Sequence, residues 1–490
     1  MFEKITPEAA GIPSDAVRDF LAACERRGNT LHSVLMMRGD RIFSETYWAP
    51  FDKDFRHRMY SETKSFVSIA IGLLEEEGKL SLDDKIAPYF PEEAGDSLPP
   101  FLAEQTVREM LTMTTAGISE YWFTSAEHDR TKIYFRRTDI TRPAGTLFEY
   151  DSPGSQVLCH LVEKLSGKSL LDYLKEKLFD HMGTFRTAYT LKTPTGVTWG
   201  DSAMLCTTRD IASFGRLVMN YGTYEGQHLM NEAYLRTATS RVVDNDPDGT
   251  RGPFEYGYGY QIWRAERGFA FVGMGNQLTV CIPELDFLFT CTSDDQGNAP
   301  ARSILMAELF ERIVDHLGAP LPENGEAYRR LEEFSATRTL RAVTGEKTSP
   351  ITEKINGKTF LAEENPMGIT EFSLRFSGET GVFSYTNRTG KKEIPFGLFH
   401  NVFGHFPEPG YSDEVGTVPG APDHFYRDAV SGAWRDEKRF ALLVQIIDKY
   451  FGNLTVYFAF KDDFVTVRMT KTAEAFLNEY HGDLVGRLKK

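Results

Sequence analysis

Cysteine is scarce, with five residues in 490, at positions 24, 159, 206, 281 and 291. They are scattered and odd in number, and form neither a C-x-x-C pair nor a zinc-like spacing. The reading that remains is buried free thiols in a cytoplasmic protein. No run of 18 apolar residues occurs, so no helix is expected to span a membrane. The first stretch, MFEKITPEAAGIPSD, has no basic segment followed by an apolar core, so no secretory leader is expected in it. Positive charge is in deficit, with 55 Lys+Arg against 70 Asp+Glu and a net charge of −15. That balance argues against nucleic acid and against an anionic membrane as partners. H-E-x-x-H, a P-loop, G-x-G-x-x-G after a strand and G-x-S-x-G are all missing, so neither a metal site nor a cofactor is expected. His400 and His405, five apart, and His160, beside a helical stripe, read as structural.

What the chain has is apolar and aromatic mass, 41% and 13% of its residues. That is enough to bury large cores, and the length exceeds one ordinary domain. Ser14 reads as an N-cap before Val17, Phe20, Leu21 and Cys24, which share one helical face. HSVLMMR, the Gly39-Asp40 turn and RIFSETYW read as a β-hairpin. Residues 62–77, ETKSFVSIAIGLLEEE, are apolar nearly all round in their middle, the mark of a helix at the centre of its domain. Helical patterns dominate from about residue 102 to 235, and strands return at FEYGYGYQIW, QLTVCI and FLFTCTS. Short hairpin links then predict an α+β domain over 1–318: an antiparallel sheet flanked by helices, with an all-helical subdomain. The polar stretch 319–353 reads as a linker. Residues 354–490, with short strands such as TEFSLRF, GVFSYTN and LTVYFAF, predict an all-β domain, a barrel or a sandwich.

The chemistry centres on Ser-x-x-Lys, present once as Ser61-Glu62-Thr63-Lys64. Ser61 precedes a buried helix, where backbone N–H groups favour negative charge. Lys64 lies one turn on, on the same face. A serine hydroxyl needs a neighbouring base, and a lysine serves when burial lowers its pKa. A tyrosine near that cation can share the proton relay. Tyr150-Asp151-Ser152 stands in the loop FEYDSPGS at a helix entrance, whereas Tyr385-Thr386-Asn387 ends a strand of the β domain and reads as a turn.

With these residues in view, the chain resembles the serine β-lactamase/penicillin-binding-protein-like superfamily. Within it the likeness is to the class C β-lactamase-related group, which also holds esterases and 6-aminohexanoate-oligomer hydrolases. The matching stretches are YSETKSFVSIAIGLLEEEGKLSLDD, REMLTMTTAGIS, FEYDSPGSQVLCHLVEKLSGKSL, SAMLCTTRDIASFGRLVMNYG and VGMGNQLTVCIPELDF, in family order over residues 5–318. The resemblance implies Ser61 as nucleophile and Lys64 and Tyr150 as the proton relay, their order as base left open. It implies Ser152 bonded to Lys64 or to the substrate amide. It also implies an oxyanion hole from the backbone N–H groups of Ser61 and Asn276, in a substrate-binding turn with Gly273, Gly275 and Gln277. Tyr121 and Trp122 are expected on an acyl pocket. The family's third motif carries Lys or His where Gly273 stands, so a penicillin-like acid loses its cation unless Arg267 or another residue supplies one. The expected activity is therefore cleavage of a small ester, amide or short peptide through an acyl-enzyme on Ser61. A β-lactamase or D-amino-acid-specific peptidase is the alternative, and a non-catalytic binding or sensing protein that keeps the fold is the third reading. The C-terminal β domain resembles the lipocalin-like barrels attached to some members of the group.

Overall fold

The computed structural model describes residues 2–119, 122, 125–412, 415–416, 424–473 and 480–489. Its contacts divide the chain into two compact units. One runs to Thr339 and takes in 414–416; the other holds the rest from Leu340 onward.

The first unit is built on a sheet whose main strands are β1 (Leu31–Arg38), β2 (Arg41–Tyr47), β3 (Phe269–Gly273), β4 (Gln277–Ile282) and β5 (Phe287–Ser293). Two-residue strands, Glu3–Lys4 and Trp263–Arg264, form its edges, and the order is Glu3–Lys4, β2, β1, β5, β4, β3, Trp263–Arg264. Every neighbouring pair is antiparallel except Glu3–Lys4, which runs parallel to β2. Strand side chains alternate between faces, and each central strand here feeds two cores. Leu35 and Met37 of β1 enter one core while Val34 and Met36 enter the other. The first core packs against α2 (Thr63–Glu76), α3 (Ser152–Ser166) and α4 (Thr208–Met219). The second packs against α1 (Ser14–Arg26), α5 (Ala301–Arg312) and α6 (Gly325–Ala336).

All twelve residues from Thr63 to Leu74 of α2 are buried, as its all-round apolar pattern predicts. Phe66 stacks on Phe214 with ring centroids 4.0 Å apart and meets Phe179 and Phe185 edge-on. Burial of such a ring is worth on the order of 2–3 kcal/mol. Two local expectations need correction. Pro13 stands at the N-cap position of α1, and the Ser14 hydroxyl donates to Glu8 instead of capping the helix. The stretch 319–353 also carries α6, whose Leu331 joins the second core and whose Arg330 pairs with Asp15 of α1. The signal for that helix is its Asn324 cap followed by Ala327, Leu331 and Phe334 on one face.

The second unit has ten strands among its described residues, nine of them closed into a barrel. In chain order the strands are β6 (Thr359–Ala362), β7 (Glu371–Ser377), β8 (Thr380–Asn387), β9 (Gly390–Leu398), β10 (Val402–Pro409), β11 (Phe425–Asp436), β12 (Arg439–Ile447), β13 (Phe451–Lys461), β14 (Phe464–Ala473) and β15 (Gly482–Leu488). The ring runs β9, β8, β7, β6, β15, β14, β13, β12, β11, and β10 flanks β11 outside it. Its pairs are antiparallel except the closing one, where β9 meets β11 in parallel at Gly397↔Ser431 and Leu398↔Gly432. Alternation sends Leu454, Val456, Phe458 and Phe460 of β13 inward. No helix among the described residues is long and apolar enough to cross a membrane.

Candidate active site

Ser61 lies in a single 3-10 turn, Tyr60–Glu62, that feeds directly into α2. The residue before it, Tyr60, adopts φ 48°, a left-handed conformation that costs a bulky residue about 1–2 kcal/mol. Tyr60 is held there by burial and by the Arg58 guanidinium 4.3 Å above its ring. The resulting elbow leaves Ser61 partly exposed while Lys64 is buried. Lys64 Nζ donates to Ser61 Oγ at 2.9 Å and to the Asp201 carbonyl at 2.8 Å. Ser152, expected to bond Lys64 or the substrate amide, is not bonded to Lys64; it is buried as the first residue of α3.

The segment 201–204 grips this elbow repeatedly. Arg58 Nε donates to the Ser202 carbonyl at 2.9 Å and its Nη2 to Ser202 Oγ at 3.0 Å. Met59 N–H donates to the Met204 carbonyl, and Met204 N–H to Thr63 Oγ1. Behind it lies a buried cation–aromatic cluster: Arg58 and Arg130 approach the Trp199 ring at 4.5 and 4.6 Å, and Arg130 also lies 4.1 Å from Trp122. Trp122 is packed inside this cluster and buried. Tyr121 lies outside the described residues. Glu62, between the two motif residues, is fully enclosed; burial pushes its carboxyl well above the usual carboxylate range, against the hydrogen bond from Thr279.

Tyr150 comes from the loop before α3, whose first turn is capped by Asp151 accepting from Gly154 N–H. Its ring stacks on Trp263 of the sheet edge, and Lys64 Nζ stands 5.0 Å from its centroid. Ser61, Lys64 and Tyr150 thus converge from the elbow, α2 and the loop before α3.

The third predicted segment is the β3–β4 turn, Met274-Gly275-Asn276, closed by the pair Gly273↔Gln277. A Cβ on Gly273 would stand 2.3 Å from the Met59 carbonyl, so only glycine lets this strand approach the segment that carries Ser61. Gly275 and Asn276 are both left-handed, at φ 75° and 66°. The Asn276 side chain is clamped at both ends: Nδ2 donates to Asp295 at 2.9 Å, and Oδ1 accepts from Arg302 Nε at 3.2 Å. Among the described residues, the backbone N–H groups of Ser61 and Asn276 have no acceptor within the protein. Gln277 departs from its expected place. It is fully buried, its amide donates to the Met274 and Ser293 carbonyls and accepts from Ser293 N–H, so it holds the turn from beneath and does not face substrate.

Arg267 is engaged by Glu284 and does not supply the cation missing at Gly273. Arg302 of α5 stands nearer, with Nη2 3.5 Å from the Gly273 carbonyl. It lines a cleft of about 400 Å3 with Gly275, Asn276, Asn298 and Ser303. Burial draws its guanidinium down from the usual arginine range, and Tyr150 and Cys291 oppose that. Sequence reasoning missed Arg58, Asp201, Trp263 and Arg302. The one available signal was their density of polar and aromatic residues beside strand ends. Among the described residues no cluster of His, Cys, Asp and Glu is arranged to hold a metal ion, and all five cysteines are free and buried.

An elbow on a buried helix, a lysine bonded to its serine hydroxyl and a glycine turn alongside stand on the α+β scaffold of the β-lactamase-fold hydrolases. The chain belongs to the Beta-lactamase family, whose pattern matches residues 15–309. It is similar to the 6-aminohexanoate-dimer hydrolase of Paenarthrobacter ureafaciens, with 26% identity over 277 residues, 53% of this chain and 71% of that protein. Among solved structures it is similar to a Bacillus anthracis protein provisionally named a 6-aminohexanoate-dimer hydrolase, at 18% identity and TM-score 0.51 over 68% of this chain and 88% of that one. It is also similar to SurE, at 14% identity and TM-score 0.50 over 97% of this chain and 99% of that one. At these identities the two structures establish the fold alone.

Proposed function

We propose that the protein is a serine hydrolase that cleaves a small ester or amide through an acyl-enzyme on Ser61. The carrying observation is the 2.9 Å contact between Lys64 Nζ and Ser61 Oγ on a half-exposed elbow. Ser61 Oγ attacks the carbonyl carbon while its proton passes to the Lys64–Tyr150 pair. The tetrahedral oxyanion rests on the N–H groups of Ser61 and Asn276, each worth about 3 kcal/mol in comparable sites. The same pair returns the proton to the leaving group, and water releases the acyl chain with the roles reversed. The likeness to 6-aminohexanoate-dimer hydrolases supports an amide of modest size as one substrate class.

Arg302 favours a second reading, in which the substrate carries a carboxylate as a β-lactam or a peptide C-terminus does. Its guanidinium replaces, from α5, the cation that Gly273 cannot offer. A fluorophosphonate probe tests the nucleophile: wild type is labelled and Ser61→Ala is not, and equal labelling of the variant overturns the assignment. A p-nitrophenyl ester, a chromogenic cephalosporin and a D-alanyl amide assayed in parallel then separate the substrate readings. Turnover of the cephalosporin alone favours the second.

A further inference from the structure

Lys64 is oriented by two bonds, one to Ser61 and one to the backbone of Asp201, and the Asp201 side chain is itself buried. That carboxylate is a costly group to enclose. Its Oδ1 accepts no hydrogen bond, and burial raises its affinity for a proton. Three cations act against burial to keep it ionised: Lys64 of α2 most strongly, then Arg130 of the short helix Arg130–Phe135, then Arg58 of the strand before the elbow. All three are themselves buried, and Cys159 of α3, its thiol held up by burial, also lies within the carboxylate's field. Arg58 and Arg130 are braced by Trp199, and Arg58 is tied to Ser202, the next residue along. A shift of this loop therefore strips the carbonyl from Lys64 and the negative charge from the cations together.

We propose that Asp201 is a positioning residue for Lys64, its carbonyl fixing the ammonium against Ser61 and its carboxylate balancing the charge around it. This rests on the reading of Ser61 and Lys64 given above. The carboxylate touches no reacting atom; it acts through the lysine.

The test is the pH profile of kcat and kcat/KM for p-nitrophenyl ester hydrolysis by the full chain, for wild type, Asp201→Asn and Asp201→Glu. Each variant is first checked for a cooperative thermal melt, and Asp201→Ser replaces the amide if that variant does not fold. Removing a negative charge beside an ammonium eases its deprotonation, so the acid limb of the D201N profile moves to lower pH, by about one unit. Its kcat falls at least about tenfold while KM stays within about twofold. D201E keeps the wild-type limb. An unmoved limb in D201N, or a loss confined to KM, overturns the proposal. Fluorophosphonate labelling of wild type and S61A runs alongside. Unlabelled wild type overturns the hydrolase reading itself, whereas labelled wild type with an unmoved D201N limb overturns only the role of Asp201.

Discussion

The two units enclose polar groups in opposite ways. The first gathers charge at one end of α2, with Arg58, Lys64, Arg130 and Asp201 all buried, and a second buried carboxyl at Glu62. The barrel fills its interior with rings: Phe376 lies 5.8 Å from Trp434 and 5.2 Å from Phe440, and Phe383 lies 5.2 Å from Phe458. Its buried polar chain is short, from Tyr385 OH to Tyr480 OH at 2.7 Å and on to Glu408 at 2.9 Å. Packing of rings is stabilising and chemically inert. Buried charge is costly, and it repays that cost where a proton or an oxyanion must be handled in a dry, fixed setting. The difference in interior chemistry supports the proposal that puts the reactive centre in the first unit.

Substitutions sharpen the contrast. Ser61→Ala is expected to lower hydrolysis by about 10^4-fold or more with little change in melting temperature, because the hydroxyl contributes chemistry and almost no packing. Steady-state rates with circular dichroism melts check it, and a stability loss without a rate loss would reverse the reading of the elbow. Trp434→Ala in the barrel is expected to do the converse, costing about 3–5 kcal/mol of that unit's stability in a urea melt through the cavity it leaves. Gly273→Ala falls between. The added methyl meets the Met59 carbonyl, a backbone atom that cannot swing away, so β3 must retreat from the elbow. A displacement of that kind costs about a hundredfold in kcat, with a smaller effect on the melt, and progress curves under substrate saturation measure it.

How much of this was legible in the sequence follows the same division. Ser61, Lys64 and Tyr150 were readable because the motif and the apolar run of α2 are local patterns. The strands of the barrel were readable from alternation, but the parallel closure of β9 on β11 depends on residues far apart in the chain. Arg58, Asp201 and Arg302 escaped for a related reason. A buried charge breaks the local rule of apolar burial, and only the fold reveals what compensates it, as Trp199 does for Arg58 and Ser202 does a second time. Gln277 was misplaced because the resemblance assigns the whole turn to substrate and does not say which way each side chain faces. Here its amide satisfies three backbone groups under that turn.

The smallest effect distinguishes two buried sites, one in each unit, by the sign of their response to acid. In the first unit His32 Nδ1 and His57 Nε2 are 2.9 Å apart in a buried pair. Burial holds His57 down to about 3, and burial together with the His57 charge holds His32 well below the usual imidazole range. A group whose affinity for protons is depressed by folding stabilises the native state above its unfolded value near 6.5 and loses that contribution as pH falls toward 3. In the barrel the opposite holds for Asp428, which burial pushes up to about 7 from 3.8 against a hydrogen bond from Gly404 N–H. Its contribution is complete below pH 3.8 and is lost as pH rises to 7. Between about pH 4 and 6.5, then, rising pH strengthens the contribution of the His32–His57 pair and weakens that of Asp428, each by at most about 1.4 kcal/mol per pH unit for each titrating group. Hydrogen exchange read peptide by peptide resolves the two slopes in one sample. Asp428→Asn flattens the slope of the peptides around it and leaves the slope around His32 and His57, and slopes of the same sign at the two sites would break the contrast.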